Sequence, residues 1–190
     1  ILKELDMKAT IFVIGWAVGR EYDKDDITPI SRHFSWDQAK EMYDSGLVDI
    51  QCHSYDLHSI NGDKRSTDKL PDETQTEYEK RFKEDTLNAK QLIESNVGNK
   101  VIVYSYPLGF YNDITEKILK ESGFKASLTT QYGISDFSDG LYLLKRINMP
   151  SIKSKELINK ILLLQYRNIK IPYNIYIRVQ LMVLLIKSSI

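Results

Sequence analysis

His53 and His58 are the residues of this sequence whose type and spacing point most directly to chemistry. They lie five positions apart, about 140° out of phase on a helix of 3.6 residues per turn, so they cannot share a helical face as ligands at i, i+4 do. The run before them is strand-like instead. Val48, Ile50 and Cys52 alternate with Asp49, Gln51 and His53, and the alternation breaks at Ser54. His53 therefore closes a strand, and the two imidazoles meet only if the chain folds back after it. Brought together at a strand's C-terminal end, with the Ser54 hydroxyl and Asp56 carboxylate between them, they suit a divalent metal whose shell is completed by a carboxylate and water. The same spacing also suits two solvated or hydrogen-bonded histidines. The third histidine, His33, has no ligand partner at a recognisable spacing and is expected to hold its loop.

The elements that must position this pair alternate between strand and helix. Ala9 to Gly15 is a continuous apolar run with β-branched and aromatic residues, the pattern of a strand covered on both faces. Ser35 with Gln38 forms a capping box that opens a helix running to about Asp44, with Ala39, Met42 and Tyr43 inward and Gly46 ending it. A second helix is predicted over Glu77 to Ser95, with Tyr78, Phe82, Leu87, Leu92 and Ile93 inward. Val101 to Tyr104 follows as a strand, Asn112 caps a helix ending at Gly123, and strands are predicted at Phe124 to Leu128 and Leu141 to Met149. Ser154 to Tyr166 reads as an amphipathic helix. Alternation of this kind predicts an α/β fold with a parallel sheet.

Composition narrows the partners. Lys plus Arg and Asp plus Glu both number 26, so no net field draws the chain to nucleic acid or an anionic membrane. The aspartates at 23, 25 and 26 lack the Gly and terminal Glu of a calcium loop and read as a solvated turn. The single Cys52 excludes an internal disulfide and is expected to be a small buried residue. The apolar run Leu181 to Ile186 is far shorter than the ~20 residues of a membrane span, so no transmembrane segment is expected. The chain opens at Ile1, with Ile1, Leu2 and Leu5 spaced like the last turns of a helix, and is expected to continue upstream.

The segment Gln51-Cys52-His53-Ser54-Tyr55-Asp56-Leu57-His58 resembles the second motif of NodB-type polysaccharide deacetylases, carbohydrate esterase family 4, in the form used by the poly-N-acetylglucosamine branch. Lys8 to Gly15 is similar to the family's "KATFF" strand. Tyr104 to Asn112, by itself a turn built on Pro107 and Gly109, resembles its third motif, "YP-x-G-x-Y-N". Resemblance covers roughly Ile1 to Pro150 and implies a distorted, incomplete (β/α) barrel over residues 1–166, lacking its first strand, followed by an atypical tail over 167–190.

What the resemblance implies for the site is specific. His53 and His58 would bind the catalytic metal, Zn by preference for two imidazoles and a carboxylate, with Co, Ni or Mn as alternatives. The Leu108 backbone amide would donate to the oxyanion, and Tyr106, Pro107 and Tyr111 would line the substrate side. Other branches place an Arg where Ser105 falls; Arg146 is a candidate to replace it and orient the base, and is equally readable as a surface Arg. The Asp pair that supplies the family's third ligand and general base would precede Ile1, and the late Leu-x-x-His acid is absent: the nearest match, Leu162 to Gln165, ends in Gln. The implied activity is metal-dependent removal of acetyl groups from an N-acetylated glycan, impaired in this chain by those absences, with the whole protein secreted or at the cell surface. A catalytically inactive glycan-binding relative and an amidohydrolase acting on a small amide are the alternatives.

Overall fold

Five strands lie side by side in the order in which they occur along the chain, every neighbouring pair parallel: β1 (Ala9–Val13), β2 (Val48–Cys52), β3 (Val103–Ser105), β4 (Ala126–Tyr132) and β5 (Leu144–Arg146). This computed structural model describes residues 2–4, 7–25, 27–59, 64–136, 138 and 140–147. Among the described residues three α-helices separate β1, β2, β3 and β4 in turn: α1 (Trp36–Asp44), α2 (Gln75–Val97) and α3 (Asp113–Glu121). A sheet that grows by one parallel neighbour at a time, with a helix between strands, is the advancing wall of a β/α barrel. Here it forms an incomplete barrel of five strands among the described residues.

The capping signals explain where the helices begin. Ser35 and Gln38 make the reciprocal box at α1; Thr74 with Glu77 and Asn112 with Thr115 do the same at α2 and α3. The second box sets the start of α2 two residues before the predicted Glu77. Gly98, at φ 82°, ends α2 in a left-handed conformation that a side chain would strain. Strand ends shift for tertiary reasons. Val101 and Ile102 precede the ladder, because the amides of Ile102 and Val103 both donate to the buried Gln51 side-chain oxygen, at 2.9 and 2.8 Å. That amide side chain stands in for strand pairing where β2 and β3 register only at Cys52 and Tyr104. β4 runs on to Tyr132, and β5 is confined to Leu144–Arg146 within the predicted stretch. Leu2 to Glu4 form a turn, closed by the Met7 amide on the Leu2 carbonyl. The helix expected over Ser154 to Tyr166 and the tail 167–190 lie outside the described residues.

The core is continuous between sheet and helices, through Val13, Ile50, Cys52, Phe82, Ala89, Ile93, Tyr104, Leu119 and Phe124. Leu87 does not join it. The face of α2 that packs inward runs through Phe82, Asp85, Thr86, Ala89 and Ile93, which turns Leu87 outward at 39% exposure. No helix among the described residues is long and apolar enough to cross a membrane. Because Phe82 is wholly buried, Phe82→Ala should cost about 3–5 kcal/mol in urea unfolding. Leu87→Ala should stay within roughly 0.5 kcal/mol, the range of exposed positions; equal losses would mean that α2 is rotated from the face described.

Candidate metal and active site

Parallel β/α folds present their chemistry at the C-terminal strand ends, and here three strand ends meet around His53. β2 ends at Cys52, so His53 is the first residue beyond it; Ser105 ends β3, and Arg146 ends β5. The His53 ring is 2% exposed, with Nδ1 2.6 Å from the Ser105 carbonyl. A carbonyl accepts only, so Nδ1 carries the proton and Nε2 presents a lone pair. That Nε2 is buried and has no hydrogen-bond partner. Burial, reinforced by the neighbouring His58, pushes the His53 pKa down to about 3, so the ring is neutral at physiological pH.

The backbone folds back to bring the second imidazole in. Ser54 takes a left-handed φ of 79°, uncommon without glycine, and the Leu57 amide donates to its hydroxyl at 3.1 Å. The His58 ring then lies 5.0 Å from that of His53, centroid to centroid, inclined by 56°. Zn–N bonds of ~2.0–2.1 Å place two tetrahedral imidazole ligands on the order of 5 Å apart between centroids. An uncharged, tautomer-fixed imidazole with an orphaned buried nitrogen beside a second imidazole fits a metal's donor set. Among the described residues no group of three or more His, Cys, Asp or Glu converges. The described chain thus offers two donors. Two surface depressions, one lined by Leu70, Glu73 and Arg81 and one by Gly19, His33 and Ser35, contain neither of them.

Arg146 reaches the same place from β5. Its Nη1 donates to the Ser105 hydroxyl at 3.2 Å and its Nε to the Thr129 carbonyl. Ser105 therefore binds His53 through its carbonyl and Arg146 through its side chain. Sequence reasoning missed the first of these roles, since any residue type carries a carbonyl.

The turn after β3 runs through Pro107–Gly109. Leu108 sits at φ 53° with its side chain 43% exposed. Gly109, at φ 81°, has no room for a Cβ, which would lie 2.0 Å from the Thr130 hydroxyl oxygen. Tyr106 differs from expectation. It is wholly buried, and its hydroxyl donates to Glu116 at 2.8 Å, so its phenol belongs to the core behind the turn and is not presented to a ligand. Pro107 is buried too, whereas Tyr111 is partly open, its hydroxyl accepting from Gln131 at 2.8 Å. Cys52 is buried, with its thiol pKa raised by burial, as a core residue should be. Asp23 is no free solvated turn residue, because Arg65 pairs with it at 3.1 Å. His33 donates its backbone amide to the Arg20 carbonyl within its own loop.

Comparison with known proteins agrees with this fold. The profile of the family described as Polysaccharide deacetylase matches residues 1–127, two thirds of the chain, and the chain belongs to that family. Two curated relatives illustrate the kinship. YxkH of Bacillus subtilis, named for the same family, is 29% identical over 149 residues, covering 78% of this chain and 44% of that protein. The poly-β-1,6-N-acetyl-D-glucosamine N-deacetylase of Staphylococcus aureus is 26% identical over 160 residues, covering 84% and 51%. Among solved structures, IcaB from Ammonifex degensii superposes with a TM-score of 0.62 at 30% identity, over 78% of this chain and 60% of that one. The chain thus spans about half the length of the curated relatives it matches.

The buried neutral His53 has a pH signature. Its folded pKa is depressed below the unfolded value near 6.5, so below pH 6.5 the unfolded chain binds the extra proton and stability falls. Asp85, whose carboxyl burial pushes up to about 6, acts in the opposite sense and is common to parent and variant. The stability of the metal-free parent relative to His53→Gln should therefore decline from pH 6.5 to 5, by up to about 1.4 kcal/mol per pH unit. A pH-independent difference in parallel urea titrations would show that His53 is not buried neutral.

Proposed function

We propose that this chain supplies the histidine half of a metal-dependent hydrolase site that removes N-acetyl groups from a polysaccharide containing N-acetylglucosamine. The observation that carries the reading is the orphaned, buried Nε2 of His53, its tautomer set by Ser105 and its ring beside that of His58. The substrate class comes from the relatives' names, and an extracellular polysaccharide would place the whole protein at the cell surface.

In this reading His53 and His58 hold the ion, Zn by preference and Co, Ni or Mn as alternatives. A bound ion supplies Lewis acidity, which activates water and polarises the acetyl carbonyl at neutral pH. The chain's own groups do the rest. Ser105 keeps the His53 proton on Nδ1, so that the ring remains a donor to metal. The Leu108 amide, held in its turn by the Gly109 and Phe110 amides bonded back to Tyr106 and Pro107, donates to the developing oxyanion. Arg146, anchored on Ser105 and Thr129, orients the general base, and the partly open Tyr111 flanks the acetyl group. With two donors in the described residues, we further propose that the 190-residue chain alone binds zinc weakly and turns over slowly.

Zinc titration of the purified chain, together with acetate release from β-1,6-linked N-acetylglucosamine oligomers, tests the reading. His53→Ala and His58→Ala should each weaken zinc binding at least tenfold, and chelation should remove whatever acetate release is present. Zinc affinity that ignores both substitutions would overturn the metal assignment. Release from small acetamides but not from the oligomers would favour the small-amide alternative.

A further inference from the structure

The distance between the two imidazoles depends on the four residues that separate them, and those residues are held from outside. The Gly15 amide donates to the Ser54 carbonyl at 3.0 Å and the Trp16 amide to the Tyr55 carbonyl at 3.1 Å, so the turn after β1 grips the segment's acceptors. Its donors face the other way. The Tyr55 amide donates to Asp85 Oδ1 at 2.9 Å and the Asp56 amide to Asp85 Oδ2 at 2.7 Å. Asp85 belongs to α2, near the middle of its 23 residues, and is 8% exposed.

A carboxylate on the inward face of a helix is costly to bury, and none of the groups assigned above to the chemistry touches it. Its geometry accounts for it. The two consecutive amides are received by separate oxygens of the one carboxylate, Oδ1 for Tyr55 and Oδ2 for Asp56. A neutral amide in its place would accept one and set its own NH₂ against the other. The bend so held begins at Ser54, whose left-handed φ of 79° needs outside support.

We infer that Asp85 is a positioning residue of the histidine pair: by receiving the Tyr55 and Asp56 amides, it sets where His58 stands relative to His53. The inference rests on the metal reading above. Groups that orient a ligand without touching the ion typically change metal affinity by about 10–100-fold when removed. Nothing in the sequence marks Asp85, one acidic residue among several on a charged helix.

The test compares the parent with Asp85→Asn, Asp85→Glu and the exposed neighbour Glu84→Gln, using zinc affinity, the visible spectrum of the cobalt-loaded protein and amide exchange of the metal-free protein. Asp85→Asn should weaken zinc about tenfold or more, alter the cobalt bands and speed exchange at Tyr55 and Asp56. Asp85→Glu, which keeps both oxygens, should recover part of the affinity, and Glu84→Gln should match the parent. Zinc binding by Asp85→Asn within twofold of the parent, with an unchanged cobalt spectrum, overturns the inference. Should the parent bind zinc no better than His53→Ala, the metal reading is what fails. Exchange then decides the role of Asp85: faster exchange at Tyr55 and Asp56 in Asp85→Asn sustains its hold on the bend, and unchanged exchange overturns it. Should Asp85→Asn fail to fold, the parent's own exchange decides. Protection at Tyr55 and Asp56 equal to that at Ile50 and Cys52 supports the hold, and exchange at open-loop rates overturns it.

Discussion

The hydrogen bond from His53 Nδ1 to the Ser105 carbonyl is the interaction on which the rest of the site depends. It links the first residue after β2 to the last residue of β3, so the relative advance of two neighbouring strands decides whether the imidazole is held. It also decides the chemistry of the ring. With its proton committed to a buried carbonyl, the other nitrogen is left as a buried lone pair, and protonation is suppressed. An imidazole treated this way is poor at accepting protons and well suited to a Lewis acid.

The neighbouring loops are fastened to one another as well as to the strands. Asp56, inside the histidine segment, pairs with Lys24 at 2.5 Å and with Arg65 at 2.8 Å, and Arg65 in turn pairs with Asp23 and lies 4.8 Å over the Trp16 ring. Isolated surface ion pairs are worth little, but a partly buried network joining four segments restricts all of them together. The loop after β1, the aspartate loop, the histidine bend and the stretch around Arg65 thus form one rim. A reactive site benefits from such support because its ligands must hold their places before anything binds.

Behind the rim, buried polar groups tie neighbouring elements to one another. Gln51 bridges to the amides of Ile102 and Val103, and Glu116 receives both the Tyr106 hydroxyl and the Ser127 hydroxyl, at 2.8 and 2.7 Å. These bonds explain why Tyr106, beside the Pro107–Gly109 turn in sequence, serves as its backing. The ring is enclosed between those of Tyr104 and Tyr111, 5.2 and 5.6 Å away, and supports the turn from within.

By itself the sequence determined the alternation of strand and helix, the capping box of α1, the burial of Cys52 and the bend after β2. These follow from side-chain period and local hydrogen bonding, which act over a few residues. Resemblance added the family and the catalytic-metal role it implies for the two histidines. Tertiary structure alone decided that Gln51 substitutes for a ladder, that Leu87 turns outward, that Tyr106 points into the core, and that Ser105 and Asp85 hold the histidine segment. Those outcomes depend on groups 10 to 52 positions apart in the chain, or on how a helix is rotated against a sheet. A backbone carbonyl or amide looks the same at every position of a sequence, so its partner exists only once the chain has folded.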